Sequence, residues 1–174
     1  DGIRDKLVTG VQTCALPICE NLPPMVRALL EVAPHVRLLV VDDASPDGTG
    51  QVADAIASSV PERVTVLHRQ AKTGLGDAYV AGFRIALASG AERIFEMDAD
   101  FSHPVGAIPA MLRLAESCDV VVGSRYVRGG SLDRRWSRGR RLLSWGGNQY
   151  ARLLTGLRVQ DATAGFKCFR REAL

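Results

Sequence analysis

The chain has 174 residues, which is enough for one domain with a sizeable core. Apolar residues make up 47% and charged residues 24%, so the composition is that of a globular protein rather than a disordered one. No run approaches the roughly 18 apolar residues that a membrane span needs. The net charge of +3 is too small to indicate nucleic-acid binding.

The positive charge is concentrated in one late segment. Residues 125–141 contain seven arginines and one acidic residue, Asp133. Most of these arginines are expected to form a solvated basic face, and a membrane surface is a plausible partner for some, since anionic headgroups attract such clusters. The four cysteines show neither a CxxC pair nor a zinc spacing, which favours a reduced, cytoplasmic setting. No signal peptide is recognisable at the front.

Residues 1–18 do not read like the rest of the chain. They have no helical stripe and only weak alternation, and they closely resemble translated sequencing-adaptor read-through. We interpret residues 1–18 as a foreign or disordered segment, leave them out of the fold argument, and assign residues 19–174 to the domain. A natural irregular N-terminus is the alternative.

The first half of the domain alternates between helix and strand. Asn21 is a cap candidate, and the prolines that follow suit the first turn of a helix. Residues 36–41 form an apolar run of strand length, as expected for a parallel strand covered on both faces. A turn-rich acidic loop follows at 42–49, helix resumes through residues 52–56, and residues 63–68 alternate as a strand.

The alternation continues past a Gly-x-Gly at residues 74–76. This motif opens a helix but lacks the remaining residues of the nucleotide fingerprints, so we favour a packing role over phosphate binding. Residues 93–97 form a buried strand that ends in Asp98-Ala99-Asp100, residues 108–115 form an amphipathic helix, and residues 119–123 form a fourth buried strand. The sequence therefore predicts an α/β fold with an open, mainly parallel sheet and helices on both faces.

The character of the chain changes after Ser124. A loop and a basic stretch precede a helix that includes residues 142–154 and ends before Gly156. Residues 171–174 read as the first turn of an unfinished helix, so we expect the C-terminus to be truncated.

Acidic residues follow two of the predicted strands, and a further acid comes later at Asp161. Because strand ends meet at the ligand-binding edge of α/β sheets, Asp42/Asp43 and Asp98/Asp100 are expected there. Two carboxylates one residue apart suit a divalent cation with open positions for phosphate oxygens. A pair of solvated acids is the alternative for Asp98 and Asp100. Arginines after residue 124 offer a site for a second anion.

Five motifs occur in an order that resembles one family. They are residues 40–49 (VVDDASPDGT), 74–76 (GLG), 97–104 (MDADFSHP), 123–126 (GSRY) and 161–166 (DATAGF). Together they look like the dolichol-phosphate (polyprenol-phosphate) mannose synthases of glycosyltransferase family 2. The Asp-Asp and Asp-x-Asp pairs alone indicate only the glycosyltransferase superfamily. The residues that flank them are typical of a much narrower group of proteins within it. The resemblance covers about residues 20–174.

The resemblance implies a GT-A type fold and transfer of mannose from GDP-mannose to a polyprenyl (dolichyl-type) phosphate, with inversion. It implies Mg²⁺ or Mn²⁺ as cofactor and a location at the cytoplasmic face of a membrane. The implied nucleotide-binding residues are Val41, Asp43, Asp98 and Ala99; the metal ligands are Asp98 and Asp100; the acceptor and phosphate ligands are Arg125, Arg140 and Ser144; and the catalytic residues are Asp100, Arg125 and Asp161. Lys167 lies in the motif that the family places beside the active site, and His103 is interpreted as a loop residue.

The sequence also departs from the family. Family members begin with a strand that runs into Pro-Thr-Tyr-Asn-Glu, and here residues 16–20 read Leu-Pro-Ile-Cys-Glu, without the tyrosine. The family's C-terminal part would lie beyond Leu174. We expect the natural gene product to be an active transferase and this chain to bind donor poorly or not at all.

Three alternatives stay open. The first is transfer of glucose or an amino sugar to the same kind of lipid, because these motifs do not identify the sugar. The second is a non-catalytic nucleotide-binding domain, which the altered first motif favours. Nucleic-acid binding is the third and is not expected, since the arginines lack interleaved aromatic residues apart from Trp136.

Overall fold

The computed structural model describes residues 7–13, 19–71, 73–127, 130, 137–156 and 159–174; the side chains of residues 7–13, 138, 140 and 141 are outside this description. The elements in chain order are β1 (Leu7–Thr13), α1 (Leu22–Val32), β2 (Val36–Asp42), α2 (Thr49–Ser59), β3 (Val64–His68), α3 (Leu75–Ala88), β4 (Arg93–Asp98), α4 (Ile108–Leu114), β5 (Val120–Val122), α5 (Arg138–Thr155) and β6 (Lys167–Arg170). Short 3₁₀ turns occupy Val105–Ala107 and Arg171–Ala173.

The strands form one sheet in the order β3-β2-β1-β4-β6-β5. The four strands from β3 to β4 are parallel, and β6 runs antiparallel to both of its neighbours. The two main predicted strands are buried as expected: six of the seven residues of β2 are buried, as are the four central residues of β4. Both faces of these strands are therefore covered, as in other parallel sheets.

Helices cover both faces of the sheet. On one face, Leu22 and Leu29 of α1 pack with side chains of α2, α4 and alternate residues of β2 and β4. On the other face, Ala78 and Ala86 of α3 pack against the intervening residues of the same strands, such as Leu39. This arrangement confirms the prediction of an open, mainly parallel sheet with helices on both faces.

β1 corrects one decision of the sequence analysis. Residues 7–13 were left out of the sheet, yet β1 lies at its centre, hydrogen-bonded to β2 on one side and β4 on the other. Ladder hydrogen bonds are made by the backbone, so a weakly alternating stretch can still occupy a central strand. The foreign origin of the segment and the domain boundary at residue 19 stay predictions, and residues 1–6 and 14–18 lie outside the described part of the chain.

Two smaller expectations were also wrong. The strand predicted to be buried at residues 119–123 is the outermost strand β5, and Val120 is 42% exposed because nothing flanks its outer edge within the described structure. A packing role for Gly74 and Gly76 also fails, since a Cβ at either position would have no atom within 4 Å. Gly74 instead has a φ of 124°, which L side chains rarely adopt. Asn21 precedes α1 as predicted, but its side chain makes no capping hydrogen bond.

The topology brings the acidic motifs of the sequence to one edge of the sheet. Asp42 ends β2 opposite Thr13, and Asp98 ends β4 opposite Gln12, so the two acidic strand ends flank the end of β1. Two strand spacings separate them, about 10 Å. The chain winds outward from β1 through β2 in one direction and resumes at β4 in the other, which makes this edge a topological switch point. Ligands of open α/β sheets bind at such points.

Strands β5 and β6 bring the remaining motifs to the same edge. Because β6 is antiparallel to β4 and pairs Lys167 with Glu96, the segment 161–166 that precedes it lies beside the carboxyl end of β4. Because β5 is antiparallel to β6, it runs in the direction of β4, and residues 123–126 leave it at this edge.

Candidate active site

Asp43 is a buried carboxylate with one unpartnered oxygen. Its side chain is only 2% exposed, and Arg69 Nη1 donates to its Oδ1 at 2.5 Å. The other oxygen, Oδ2, is buried and has no hydrogen-bond partner among the described residues. A buried unpaired polar atom is costly, so an oxygen in this state indicates a place for a donor from outside the protein. Val41, on the strand before it, is buried against α3.

Asp98 is fixed from two sides at the end of β4. Tyr79 Oη lies 3.5 Å from Asp98 Oδ1, and His103 Nε2 lies 3.2 Å from Oδ2. Its side chain is 40% exposed, so the carboxylate faces both protein and solvent. Ala99, which follows it, is fully buried.

Asp100 is the exposed member of the pair. Its Oδ1 accepts a hydrogen bond from the backbone N–H of Ser102 at 2.9 Å, a local turn that aspartate commonly makes. Phe101, which lies between Asp100 and Ser102, has a φ of 58° and is 45% exposed. A left-handed backbone at a bulky residue is strained by about 1–3 kcal/mol and is found most often at functional sites.

The carboxylates of Asp98 and Asp100 fit a hard divalent cation such as Mg²⁺ or Mn²⁺. Both present oxygen ligands at the sheet edge, and both are accessible to solvent. Among the described residues, no group of three or more His, Cys, Asp or Glu side chains is placed to hold a metal ion. Two carboxylates therefore leave several coordination positions for oxygens of a phosphate ligand and for water.

Arg125 and Asp161 form a forked ion pair. Arg125 Nε and Nη2 each donate to Asp161 at 2.7 Å, and the Arg125 backbone N–H adds a third bond at 3.1 Å. Asp161 also accepts from Thr163 Oγ1 at 3.2 Å and from Asn148 Nδ2 at 3.4 Å. Asp161 is fully buried, and these five bonds hold it in place. Its carboxylate thereby fixes the guanidinium of Arg125 at the sheet edge.

Each residue of this pair stabilises the charged form of the other. Burial alone would raise the pKa of Asp161, but hydrogen bonds from Arg125 outweigh it and hold the pKa of that carboxyl below its usual range. The same contact raises the pKa of Arg125 above its usual value. Both groups are therefore charged at neutral pH, and Asp161 is an acceptor rather than a source of protons.

Helix α5 connects this pair to Ser144. Tyr126 Oη donates to Ser144 Oγ at 2.8 Å, and Asn148, which is 1% exposed, bonds both the Ser144 carbonyl and Asp161. The buried Oδ1 of Asn148 has no partner among the described residues. The predicted phosphate ligand Arg140 lies in the first turn of α5, and its side chain is outside the described part of the structure.

Lys167 is engaged with a buried acid on the neighbouring strand. Its Nζ donates to Oε1 of Glu96, which is 4% exposed. Burial raises the pKa of Glu96, and the bond from Lys167 partly offsets that rise. Glu96 and Asp98 are two residues apart on β4 and therefore share a face of the sheet. Lys167 thus lies beside the site, as the resemblance implies, with its charge directed at Glu96.

The structure brings together most of the predicted site residues. Asp43, Asp98 and Asp100 lie at the switch point, and Arg125, Ser144 and Asp161 form a second, connected group beside β6. The sequence analysis missed the side chains that hold them: Arg69, Tyr79, His103, Asn148 and Thr163. Only His103 and Thr163 lie inside the recognised motifs, and nothing local in the sequence singles out the other three.

An open, mainly parallel sheet with paired carboxylates at its switch point and a fixed arginine beside them defines an α/β domain of the kind that binds its ligand at this sheet edge. Its family follows from comparison of the whole chain. The model of glycosyl transferase family 2 matches residues 18–174, and the chain belongs to that family.

Two relatives are similar over most of this chain. An undecaprenyl-phosphate mannosyltransferase from Micrococcus luteus is 45% identical over 155 residues, covering 89% of this chain and 63% of the relative. A polyprenol monophosphomannose synthase from Mycolicibacterium smegmatis is 46% identical over 156 residues, covering 89% of this chain and 58% of the relative. The chain thus spans about three fifths of the length of these relatives. The resemblance to polyprenol-phosphate mannose synthases is confirmed.

A solved structure confirms the fold. The mannosyltransferase PcManGT from Pyrobaculum calidifontis, solved in complex with GDP-Man and Mn²⁺, superposes with a TM-score of 0.58 at 20% identity. The match covers 95% of this chain and 44% of that one. At this identity the likeness establishes the fold alone, which is of the predicted GT-A type.

Proposed function

We propose that this chain is the donor-binding part of a polyprenyl-phosphate mannosyltransferase. The enzyme moves mannose from GDP-mannose to a polyprenyl (dolichyl-type) phosphate, with inversion at the anomeric carbon. The observation that carries the proposal is the carboxyl edge of the sheet, where Asp43, the Asp98/Asp100 pair and the Arg125–Asp161 pair lie side by side. The names of the two relatives support the sugar and the lipid class.

The donor nucleotide is expected to lie over the ends of β2 and β4. Asp43 Oδ2 can accept a hydrogen bond from the base or ribose, which would satisfy the buried unpartnered oxygen. Arg69 holds the other oxygen and so orients the carboxylate. Val41 and Ala99 are buried beside these acids, and their part is to place the backbone that approaches the nucleotide.

The diphosphate is expected at Asp98 and Asp100, about 10 Å from Asp43 across two strand spacings. A nucleoside diphosphate bound along this edge would bridge the two sites, with its base or ribose at Asp43 and its phosphates at the Asp98/Asp100 pair. When bound, Mg²⁺ or Mn²⁺ would neutralise the charge that builds on the departing GDP. Asp98 and Asp100 would hold the ion, with Asp100 as the more accessible ligand.

The acceptor phosphate is expected at Arg125. Asp161 holds that guanidinium in one orientation, and the Tyr126–Ser144 hydrogen bond connects its loop to α5. An oriented arginine offsets the repulsion between two anions and places the acceptor oxygen for attack. The family resemblance places Arg140 and Ser144 on α5 near the donor and acceptor phosphates.

The reaction needs no general base. A phosphate monoester is largely ionised at pH 7, with its second pKa near 6, so its oxygen can attack without losing a proton. A bond forms between that oxygen and the anomeric carbon, and the bond from the anomeric carbon to the GDP oxygen breaks with its electron pair. This agrees with an Asp161 whose lone pairs are occupied by protein donors.

The membrane surface is the second proposed partner, and α5 is the element that would contact it. The helix has large apolar side chains that are exposed to between 53% and 83%: Leu142, Leu143, Trp145, Tyr150, Leu153 and Leu154. It contains four arginines and no acidic residue. A helix with an apolar outer side and basic flanks suits the interface of an anionic bilayer.

The other side of α5 faces the candidate site. Ser144 and Asn148 lie on that side and bond to Tyr126 and Asp161. A helix that touches both the bilayer and Arg125 would bring the lipid phosphate to the site. Among the described residues, no helix is long and apolar enough to cross a membrane. The three described cysteines are free thiols, which supports the cytoplasmic face as the location.

Calorimetry with GDP-mannose and Mn²⁺ tests the donor site. The altered first motif is expected to weaken donor binding by this chain, and the binding that remains should require Mn²⁺ and be lost in the Asp98→Ala/Asp100→Ala double variant. Asp119→Ala, which removes an exposed carboxylate at the far end of β5, is the matched control and should bind like the parent. Binding that is independent of both metal and the two aspartates would contradict the assignment.

Transfer is tested separately, with polyprenyl phosphate in detergent and detection of the lipid-linked mannose. Tight GDP-mannose binding without transfer would favour the non-catalytic alternative. The altered first motif at residues 16–20 makes this measurement decisive, and restoring Pro-Thr-Tyr-Asn-Glu there is the complementary variant.

A further inference from the structure

We propose that His103 is a positioning residue that orients Asp98 for the metal and the diphosphate, with Phe166 as the support of its ring. The inference rests on the proposed function, because it concerns a residue that acts through a proposed metal ligand. It differs from the sequence interpretation, in which His103 was a loop residue.

The hydrogen bond between His103 and Asp98 has a defined direction. His103 Nε2 lies 3.2 Å from Asp98 Oδ2. An ionised carboxylate can only accept, so the imidazole must donate through Nε2–H. Tyr79 donates to the opposite oxygen, Oδ1. With one donor on each oxygen, the plane of the Asp98 carboxylate is fixed relative to β4.

The imidazole itself is held from behind. Its ring stacks on Phe166, with centroids 5.2 Å apart and an interplanar angle of 14°. Phe166 is 2% exposed and packs in turn against Phe95 in the core, with centroids 6.1 Å apart. The side chain of His103 is only 16% exposed. The orientation of Asp98 is therefore anchored in the core through two aromatic rings.

Gly165 shows how closely the chain approaches this contact. A Cβ at position 165 would lie 3.0 Å from Asp98 Oδ2 and 3.4 Å from His103 Nε2. A methyl group there would press on both partners of the hydrogen bond at once. The segment 161–166 thus reaches Asp98 through Gly165 and Phe166, and it reaches Arg125 through Asp161.

Asp98 requires such support more than Asp100 does. Asp100 is fixed locally by the Ser102 N–H, two residues along the chain. Asp98 is 40% exposed, and its hydrogen bonds come from side chains, those of Tyr79, 19 residues away, and His103, five residues away. Loss of a side chain that orients a metal ligand typically lowers metal affinity 10–100-fold.

Two substitutions at position 103 separate the hydrogen bond from the packing. His103→Phe keeps a ring on Phe166 and removes the donor. His103→Gln removes the ring and keeps an N–H near the position of Nε2. Mn²⁺ affinity is measured from the EPR signal of free Mn²⁺ in the presence of GDP, and the melting temperature of each variant is measured in parallel. We expect affinity for Mn²⁺ to fall about 10–100-fold in His103→Phe and to be largely retained in His103→Gln.

Gly165→Ala approaches the same contact without changing either partner and keeps the proposal testable if His103→Phe does not fold. It is expected to weaken Mn²⁺ binding in the presence of GDP while leaving the melting temperature close to that of the parent. Parent-like affinity in His103→Phe and Gly165→Ala would overturn the role of His103, and so would an equal loss in His103→Phe and His103→Gln. A parent chain that fails to bind Mn²⁺ with GDP would instead overturn the metal site, and the inference with it.

Discussion

The exposed apolar side of α5 gives the strongest quantitative prediction. Leu143 and Leu153 are 78% and 83% exposed, so neither contributes much to the protein core. Fully burying a leucine is worth about 1.5–3 kcal/mol. If an interfacial helix recovers about half of this for each residue, Leu143→Ser/Leu153→Ser loses about 1.5–3 kcal/mol of membrane binding. At 1.4 kcal/mol per tenfold change, the partition coefficient falls roughly 10- to 150-fold.

Stability should change far less than membrane binding. Serine lowers helix propensity by about 0.5 kcal/mol per position, and exposed sites away from special contacts usually contribute little more. We therefore expect the free energy of unfolding of the double variant to drop by about 1 kcal/mol or less. A large drop would mean that these leucines are buried in the folded protein, which contradicts the structure.

The assay is co-sedimentation with vesicles of phosphatidylglycerol and phosphatidylcholine, and with pure phosphatidylcholine. The matched control is Leu114→Ser/Val80→Ser, which removes two apolar side chains that are 55% and 47% exposed on α4 and α3. The parent should bind anionic vesicles more tightly, since each arginine near such a surface adds about 1 kcal/mol. Equal binding by the parent and the α5 variant would refute the assignment, as would an equal loss in the control.

Four further predictions concern single residues. Gly123→Ala should lower the free energy of unfolding by about 1–3 kcal/mol, measured by urea denaturation, because its Cβ would lie 2.6 Å from a phenylalanine ring. Gly76→Ala, with no atom within 4 Å of its Cβ, should be neutral or stabilising. The hydrogen bond to Asp54 raises the pKa of His68 above its usual 6.5, so its contribution to stability is present below pH 6.5 and is lost as the pH rises through the raised pKa. Asp42, 3.6 Å from His68 Nδ1, raises this pKa to a smaller extent, so Asp54→Asn should reduce this pH dependence in urea denaturation curves, and an unchanged dependence would exclude the His68–Asp54 pair as its main source. Burial raises the pKa of Cys168 to about 12, so iodoacetamide should modify this residue only after unfolding. Labelling of Cys168 in the native protein, read by mass spectrometry, would contradict its burial, whereas labelling of the exposed Cys118 is expected.

Local pattern was sufficient for the elements that are buried on both faces. The apolar run at 36–41 predicted β2, and residues 93–97 predicted β4, because strands in this setting carry little but apolar side chains. The helices α1 to α4 followed from their apolar stripes. The acids at Asp43 and Asp98 could be placed at one edge from strand direction alone.

Long-range pairing could not be read in the same way. β6 is a four-residue strand whose position between β4 and β5 depends on partners at least 45 residues away. The contact between Arg125 and Asp161 spans 36 residues, and the contact between Arg69 and Asp43 spans 26. No periodicity encodes such contacts, since they depend on how the strands are ordered in the sheet. The position of β1 could not be predicted either, because it depends on backbone pairing with β2 and β4 and not on a pattern in its own side chains.

The two sides of α5 also determine how far the candidate site would lie above the hydrocarbon of a bilayer. An α-helix with its side chains is about 10–12 Å across, so groups on its inner side would lie about that far above the plane that its apolar side reaches. The headgroup layer of a bilayer extends about 5–8 Å beyond the hydrocarbon on each side. Ser144, and the guanidinium of Arg125 beyond it, would therefore lie a few Å above the lipid phosphates. A polyprenyl phosphate would have to rise only by that distance to react, so most of a long prenyl chain would stay in the hydrocarbon and its length would have little influence on the rate.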